Sequence, residues 1–406
     1  MDSPLAIAHY VSLSELGGVE RQFRRFVIAA AGRADIRQSA VICSKRVHPQ
    51  NRSVLTELAD HRLEKNVLGQ ALPRQPRILR AWRNRWIARR QDPDVALLWN
   101  RLGQQNRVLD ALGPRRCLYW EHGSAWLYGE DEAKRAALSR LPAVVCNSFA
   151  ARRMLEQRWD YDGVVRVCPN GVNTERAATI RGDVSSPLRL GMACRLVPIK
   201  AVCVALHMLA ELISRGVDAR LDIAGDGPLR SQLEAQAREL DLTDRLCFRG
   251  AVGDMDGFFA DIDIFVHTAL REPFGMVAAE AQAAGVPVVC TAIDGLPEVV
   301  ADGETGRCVV PTGDLARHQQ LGGHNDGLPP YVYAPDEDRV VAPRVCEPAA
   351  LADAIAALVV DRRRYAAMSA AGVARMAARF GFDRHVDRVI AAAREYHASG
   401  TLEASA

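Results

Sequence analysis

Two acids, Glu272 and Glu280, stand eight residues apart in the stretch REPFGMVAAEAQAAGVP, with Pro273 and Gly275 between them. Pro and Gly interrupt the chain after the apolar run DIFVHT, and nearly every residue from Met276 to Ala284 favours a helix. Glu272 is therefore expected just before a helix and Glu280 inside it. A rise of about 1.5 Å per residue plus the entry turn sets the carboxylates roughly 8 to 12 Å apart along the axis. That is too far for both to act on one bond. It suits gripping the two ends of an extended ligand with an anionic middle, because the amides of Gly275, Met276 and Val277 open the helix between them. A sugar joined through a diphosphate to a nucleoside has that shape, with Glu272 accepting from sugar hydroxyls, the helix start facing phosphate and Glu280 accepting from ribose hydroxyls. The other reading is an acidic helix entrance followed by an ordinary surface Glu.

Further residues fit the same ligand. Arg195 and Lys200, in GMACRLVPIK, are two cations in a strand-end loop, suited to a diphosphate whose charge grows as it departs. Gly17 and Gly18, in SELGGVERQF, would let backbone approach a phosphate or sugar, with a helix following. They do not have the GxGxxG spacing of a dinucleotide site, which removes an NAD dehydrogenase from consideration. Four strings of the DxD kind occur, at residues 92, 254, 261 and 336. The one at 261 opens an apolar strand and the one at 92 marks a turn, so no metal requirement is expected.

Positioning these groups requires strand ends. Short apolar runs (LAIAHY, SAVIC, VALLW, CLYW, AVVCN, VVRVC) alternate with longer amphipathic stretches in the first half, and LRLGMA, RLDIAG, LCFRG, DIFVHT, PVVCT and RCVVP repeat the scheme in the second. Such runs between helices predict parallel strands covered on both faces, hence an α/β chain of two doubly wound, Rossmann-like domains. The 406 residues accommodate two domains, with a linker near 178–187 where Gly, Ser and Pro accumulate. Ligands of such sheets bind beyond the carboxyl ends of the strands, so the expected site is a cleft faced by both domains. Residues 1–180 carry 29 Lys and Arg against 18 Asp and Glu, a balance of +11, and the remainder carries −8, which suggests different partners for the two halves. No apolar run reaches the roughly 18 residues of a membrane span, and the start lacks a basic leader, so the expected location is cytoplasmic. Ten isolated cysteines without a CxxC pair read as buried, inert thiols.

Taken in order, GGVE at 17–20, EHG at 121–123, NSFAARRML at 147–155, PNGVN at 169–173, Arg195 with Lys200, AGDGP at 224–228, EPFGMVAAE at 272–280 and GLPEVVADGETG at 295–306 resemble the retaining glycosyltransferases of family 4. The resemblance implies the GT-B fold. It implies an acceptor-binding domain over 1–180, joined by a returning helix at about 383–398, and a nucleotide-sugar domain over 186–382. It further implies that Arg195 and Lys200 hold the diphosphate and Glu280 the ribose. Glu272, with Phe274 and the Gly275 to Val277 backbone, would hold the donor sugar, and the base would lie near FRGAV, ending at Val252. His122 matches the cleft histidine near the reacting centre, whereas His267 reads as structural. Front-face attack follows from the resemblance, with the departing phosphate taking the acceptor's proton. No cofactor is implied beyond a UDP- or GDP-linked sugar as co-substrate, and the acceptor would be a saccharide, a lipid-linked molecule or a small hydroxylated compound, in cell-envelope polysaccharide or glycolipid assembly. A small-molecule glycoside pathway, a sugar-nucleotide epimerase or phosphorylase, and a non-catalytic nucleotide-sugar binder are the alternatives.

Two departures stand out. Ala201 follows Lys200 where the family usually has glycine, and an insertion over about 312–345 separates RCVVP from the next helix, to be read as a decorative loop or as one that shapes acceptor entry. The stretch 76–91 is Arg- and Trp-rich. Ile78, Leu79, Trp82, Trp86 and Ile87 would share one helical face, either packed inward or laid on anionic lipid at the inner face of the membrane. No nucleic-acid module accompanies the arginines, so nucleic acid is not an expected partner.

Overall fold

The computed structural model describes residues 3–403 apart from 16, 45, 64–65, 68–69, 72–76, 130 and 176–177, with main chain only at 63, 66–67, 70–71 and 77–81. The chain divides into two compact units, Met1–Gly171 with Asp383–Ala406, and Val172–Phe382. The boundary falls earlier than the composition of the linker suggests. Val172 N donates to Phe380 O at 2.8 Å and Arg181 N to Ser369 Oγ at 2.8 Å, so the stretch after Gly171 is already fastened to the second unit.

The first unit is built on a seven-stranded parallel sheet of β1 (Leu5–Val11), β2 (Ile36–Ile42), β3 (Asp60–Leu63), β4 (Val95–Trp99), β5 (Cys117–Glu121), β6 (Ala143–Cys146) and β7 (Val164–Val167), in the order β3-β2-β1-β4-β5-β6-β7. Every residue of β4, β5 and β6 is buried, as strands covered on both faces require. Helix α1 (Gly18–Ala31) turns Phe23, Phe26, Val27 and Ala30 onto the sheet as one stripe. The NSFAARRML segment begins a helix because the Ser148 hydroxyl accepts from Ala151 N at 3.0 Å. The C-terminal helix Phe382–Ser399 belongs to this unit from Asp383 onward, held by Arg166 to Glu395 at 2.5 and 3.0 Å and by the Tyr396 hydroxyl donating to Pro114 O at 2.8 Å.

Helix α2 (Arg77–Gln91) departs from the expected single apolar face. The side chains of Arg77, Ile78, Leu79 and Arg80 lie outside the described residues, but Ile87 is buried, Trp82 is 55% exposed and Arg83 is buried in its place. Five residues along a helix turn through about 140°, so Trp82 and Ile87 do not point the same way. Trp86 is covered instead by the guanidinium groups of Arg62 and Arg90, 5.7 and 5.6 Å from its ring centre.

The second unit has a six-stranded parallel sheet of β8 (Leu188–Ala193), β9 (Ala219–Ala224), β10 (Leu246–Gly250), β11 (Ile264–His267), β12 (Val288–Thr291) and β13 (Gly306–Val309), ordered β10-β9-β8-β11-β12-β13. In both sheets the order reverses beside the first strand of the unit. β10 is an edge strand with one face in solvent, which corrects two expectations: LCFRG is not covered on both sides, and Cys247 on it is exposed, unlike the buried Cys117, Cys146, Cys168, Cys203, Cys290 and Cys346.

The 312–345 insertion is a built part of this unit. It contains helix α3 (Leu315–Gln320) and an antiparallel hairpin of β14 (Val332–Ala334) and β15 (Arg339–Val341). Leu321, Leu328 and Val345 enter the core around β8 and β9, and Gln236 Nε2 donates to Leu321 O at 2.7 Å. An ornamental surface loop would bury neither these side chains nor the whole of β14.

Candidate functional site

The strand order brings the expected residues of the second unit together. β8 and β11 are neighbours and the chain leaves them toward opposite sides of the sheet, so the loops after their carboxyl ends open a crevice. The first loop carries Arg195 and Lys200, and the second carries Glu272. The Thr268 hydroxyl, placed 3.1 Å from Lys200 O and 3.0 Å from Ala201 O, ties one loop to the other.

Within the crevice Lys200 Nζ lies 2.5 Å from Glu272 Oε2, and His267 Nε2 lies 3.2 Å from the same oxygen. Ala269 N donates to His267 Nδ1 at 3.5 Å, so that nitrogen is the acceptor and Nε2 carries the proton given to Glu272. Burial pushes the Glu272 carboxyl up, but the Lys200 ammonium and the His267 contact outweigh it and hold it well below the usual carboxylate range. Burial likewise keeps His267 neutral, with the Glu272 contact opposing. Both donors converge on Oε2, and Oε1 receives no hydrogen bond from the described residues. His267, which the sequence reads as structural, is in contact with Glu272. Its signal was its place as the last residue of an apolar strand, the same kind of place that drew attention to His122.

Beyond Glu272 the chain turns through Gly275, whose φ of 99° excludes most side chains and where a Cβ would meet Leu296 Cδ2 at 2.8 Å. Helix α4 (Met276–Ala283) starts there, with Met276 and Val277 half-buried, Phe274 buried against Phe380 at a centroid distance of 5.7 Å, and Glu280 only 5% exposed. Arg195 is exposed and forms no ion pair with a described residue, while Val252 is half-buried between exposed neighbours in the loop after β10. Ala201 holds a left-handed φ of 45°, a conformation that an alanine adopts at a cost of roughly 1 kcal/mol.

In the first unit His122 follows β5 and is fixed by stacking. Its ring lies 5.4 Å from that of Trp99 at an interplanar angle of 4° and 4.7 Å from that of Trp120. Burial, with His385 nearby, lowers its pKa to about 3, and its Nε2 has no hydrogen-bond partner among the described residues. The preceding Glu121 shapes the loop, accepting from the Tyr119 hydroxyl at 2.8 Å, Gly123 N at 2.5 Å and Ala125 N at 3.1 Å. Gly17 and Gly18 open α1, and Gly17 N donates to Glu20 Oε2 at 3.0 Å. Neither glycine has a positive φ.

The DxD strings have structural tasks. Asp94 accepts from Ala6 N, Asp254 caps a helix through Gly257 N, Asp263 accepts from Arg189 N and Ser185 Oγ, and Asp338 accepts from the Tyr333 hydroxyl. Among the described residues, no three His, Cys, Asp or Glu side chains converge as metal ligands would.

Comparison with known proteins also divides the chain in two, between residues 176 and 187. The family model "Glycosyltransferase Family 4" matches residues 16–176 and "Glycosyl transferases group 1" matches residues 187–319. The lipopolysaccharide core biosynthesis glycosyltransferase LpsE of Rhizobium meliloti is 28% identical over 299 residues, 72% of this chain and 81% of its own. Other curated relatives are matched over about half of their length or less. A glycosyltransferase structure from Rickettsia africae superimposes with a TM-score of 0.74 at 16% identity, covering 97% of this chain and 99% of that one. HepE of Anabaena, solved in complex with UDP, gives 0.70 at 18% identity over 95% and 98%. These structures share the fold, two parallel-sheet α/β domains of the GT-B kind.

Proposed function

Because the chain belongs to the family 4 glycosyltransferases, we propose that its second unit binds a nucleotide-diphosphate sugar and its first unit the acceptor, and that transfer retains the anomeric configuration without a metal. The observation that carries this reading is the Lys200–Glu272–His267 cluster at the point where the strand order reverses. Glu272 is held ionised with Oε2 occupied and Oε1 left to accept from a hydroxyl of the donor sugar. An ammonium has three donors, so Lys200 can hold Glu272 with one and a phosphate oxygen with another. Arg195, exposed in the same loop, adds a second cation for the leaving group, and the amides at the start of α4 a third source of positive potential.

In the proposed reaction the bond from the anomeric carbon to the β-phosphate oxygen breaks and a bond to the acceptor oxygen forms on the same face. The acceptor's proton passes to the departing phosphate, so no protein group is consumed. His122, neutral at working pH, would donate or accept a hydrogen bond through Nε2 without carrying charge. Glu280 and the Val252 loop are read as ribose and base contacts. UDP in HepE supports a nucleoside diphosphate as the common part of the donor, and LpsE supports an acceptor in envelope lipopolysaccharide or glycolipid.

Replacement of Glu272 by Gln tests the reading. Transfer is expected to fall by about 100-fold or more while affinity for the nucleoside diphosphate stays within a few-fold. Unchanged turnover would reject it, and a wild type that binds nucleotide sugars but transfers to no acceptor would favour a binding protein. Exposed Trp82, with Arg85, Arg89 and Arg90 exposed on the same helix, supports peripheral contact with anionic lipid. Sedimentation with phosphatidylglycerol vesicles at low salt is expected to deplete the wild type more than Trp82→Ala; equal depletion removes that part of the proposal.

A further inference from the structure

The hairpin of the 312–345 insertion is connected to Glu272 through the buried Asp294 and the turn it begins. Asp294, wholly buried at a left-handed φ of 47°, accepts from Tyr333 N of β14 at 2.7 Å through Oδ1 and from Glu272 N at 2.9 Å through Oδ2. Its own N donates to Tyr333 O at 3.0 Å, and the next residue, Gly295, donates its N to Glu272 O at 3.1 Å. Both main-chain groups of Glu272 are thus held by the 294–295 turn, and that turn is in turn paired with the hairpin. The fit leaves no slack, since a Cβ on Gly295 would come within 2.4 Å of Pro273 O and 2.8 Å of Phe274 Cα. On the far side, the Tyr333 hydroxyl closes the hairpin on Asp338 at 2.7 Å.

We propose that the insertion sets the position of the Glu272 carboxylate, with Asp294 as the positioning residue that transmits the hairpin's hold to it. Each of these amides gives one hydrogen bond to a carboxylate that is wholly buried, so loss of either contact removes a bond that solvent cannot replace while the turn stays folded. The hairpin therefore acts as a brace for the donor-sugar loop. Its consequence for transfer rests on the reading of Glu272 as a donor-sugar contact, whereas the brace itself does not.

Hydrogen exchange of the free protein separates the two. Asp294→Asn keeps the size of the side chain but presents one acceptor oxygen where the carboxylate presents two. Tyr333→Pro leaves Asp294 intact and removes the amide that Oδ1 receives, and it serves if the Asn variant does not fold. In either variant the peptide covering 269–276 is expected to exchange about tenfold faster or more, with the β8 and β9 peptides unchanged. Protection of 269–276 equal to wild type, or faster exchange spread evenly over the unit, overturns the inference. In a folded variant that exchanges as expected, the preference for UDP-glucose or GDP-mannose over the bare diphosphate, whichever the wild type shows, should fall about tenfold. Its retention would leave the brace standing and reject the donor-sugar role of Glu272.

Discussion

The His122 pocket of the first unit and the Glu272 cluster of the second each follow the carboxyl end of an inner strand, β5 and β11, yet they are secured by different forces. His122 is held by stacking on Trp99 and by the tilted ring of Trp120, and carries no charge. Glu272 is held by an ammonium and an imidazole on one oxygen and by two main-chain contacts from the 294–295 turn. Packing fixes a neutral group without asking for a partner, and pairing fixes a charge only while the partner remains. The first arrangement should tolerate loss of a neighbour's charge but not its shape. The second should show the reverse.

The largest effect is expected at Lys200. Lys200→Ala removes the ammonium from a largely buried carboxylate and should lower transfer by about 100- to 1000-fold. It should also cost about 2 to 3 kcal/mol in urea unfolding of the second unit, less than a fully buried pair because both side chains keep some water contact. Combining it with Glu272→Gln should recover part of the stability, with a coupling of about 1 to 2 kcal/mol. Additive losses would mean that the pair does not secure the loop.

Acid should act next, and on the first unit through its histidines. His9 and His385 are lowered to about 4 and His122 to about 3, in each case by burial first. The folded unit holds them neutral while the unfolded chain protonates them near 6.5. Their contribution is therefore complete above pH 6.5 and is lost as pH falls toward 4, at about 1.4 kcal/mol per pH unit for each histidine. All six tryptophans, Trp82, Trp86, Trp99, Trp120, Trp126 and Trp159, belong to this unit, so their fluorescence follows it alone. A tryptophan-detected melting temperature that is flat between pH 7 and 5 would contradict the pocket as described.

The smallest effect is at Ala201. Its φ of 45° suits glycine, so Ala201→Gly should raise the stability of the second unit by roughly 0.5 to 1 kcal/mol in the same unfolding assay. A loss there would show that the alanine methyl, buried at 2% exposure, contributes more by packing than the backbone gives up.

Much of this organisation was legible beforehand. Apolar runs such as VALLW and AVVC became fully buried parallel strands, and the helix after Gly275 begins at Met276 as the residue types require. Less legible were the faces of short elements. Trp82 and Arg83 exchange the expected inside and outside, and Trp86 lies under Arg62, a residue distant in sequence. The contact of His267 with Glu272 was hidden likewise, since a histidine at the end of a strand declares nothing until the loop beyond it is placed.

The amino-acid sequence alone determined the alternation of strands and helices, the positions of Lys200, Glu272 and His122 at strand ends, and the interruption at Pro273 and Gly275 before a helix. These depend on local propensity and on hydrophobic period, which act over a few residues. Tertiary structure decided that the loops after β8 and β11 meet, that His267 shares an oxygen with Lys200, and that Asp294 joins an inserted hairpin to Glu272. Those contacts link residues up to 72 positions apart. Strand order, which no local pattern encodes, is what brings them within reach.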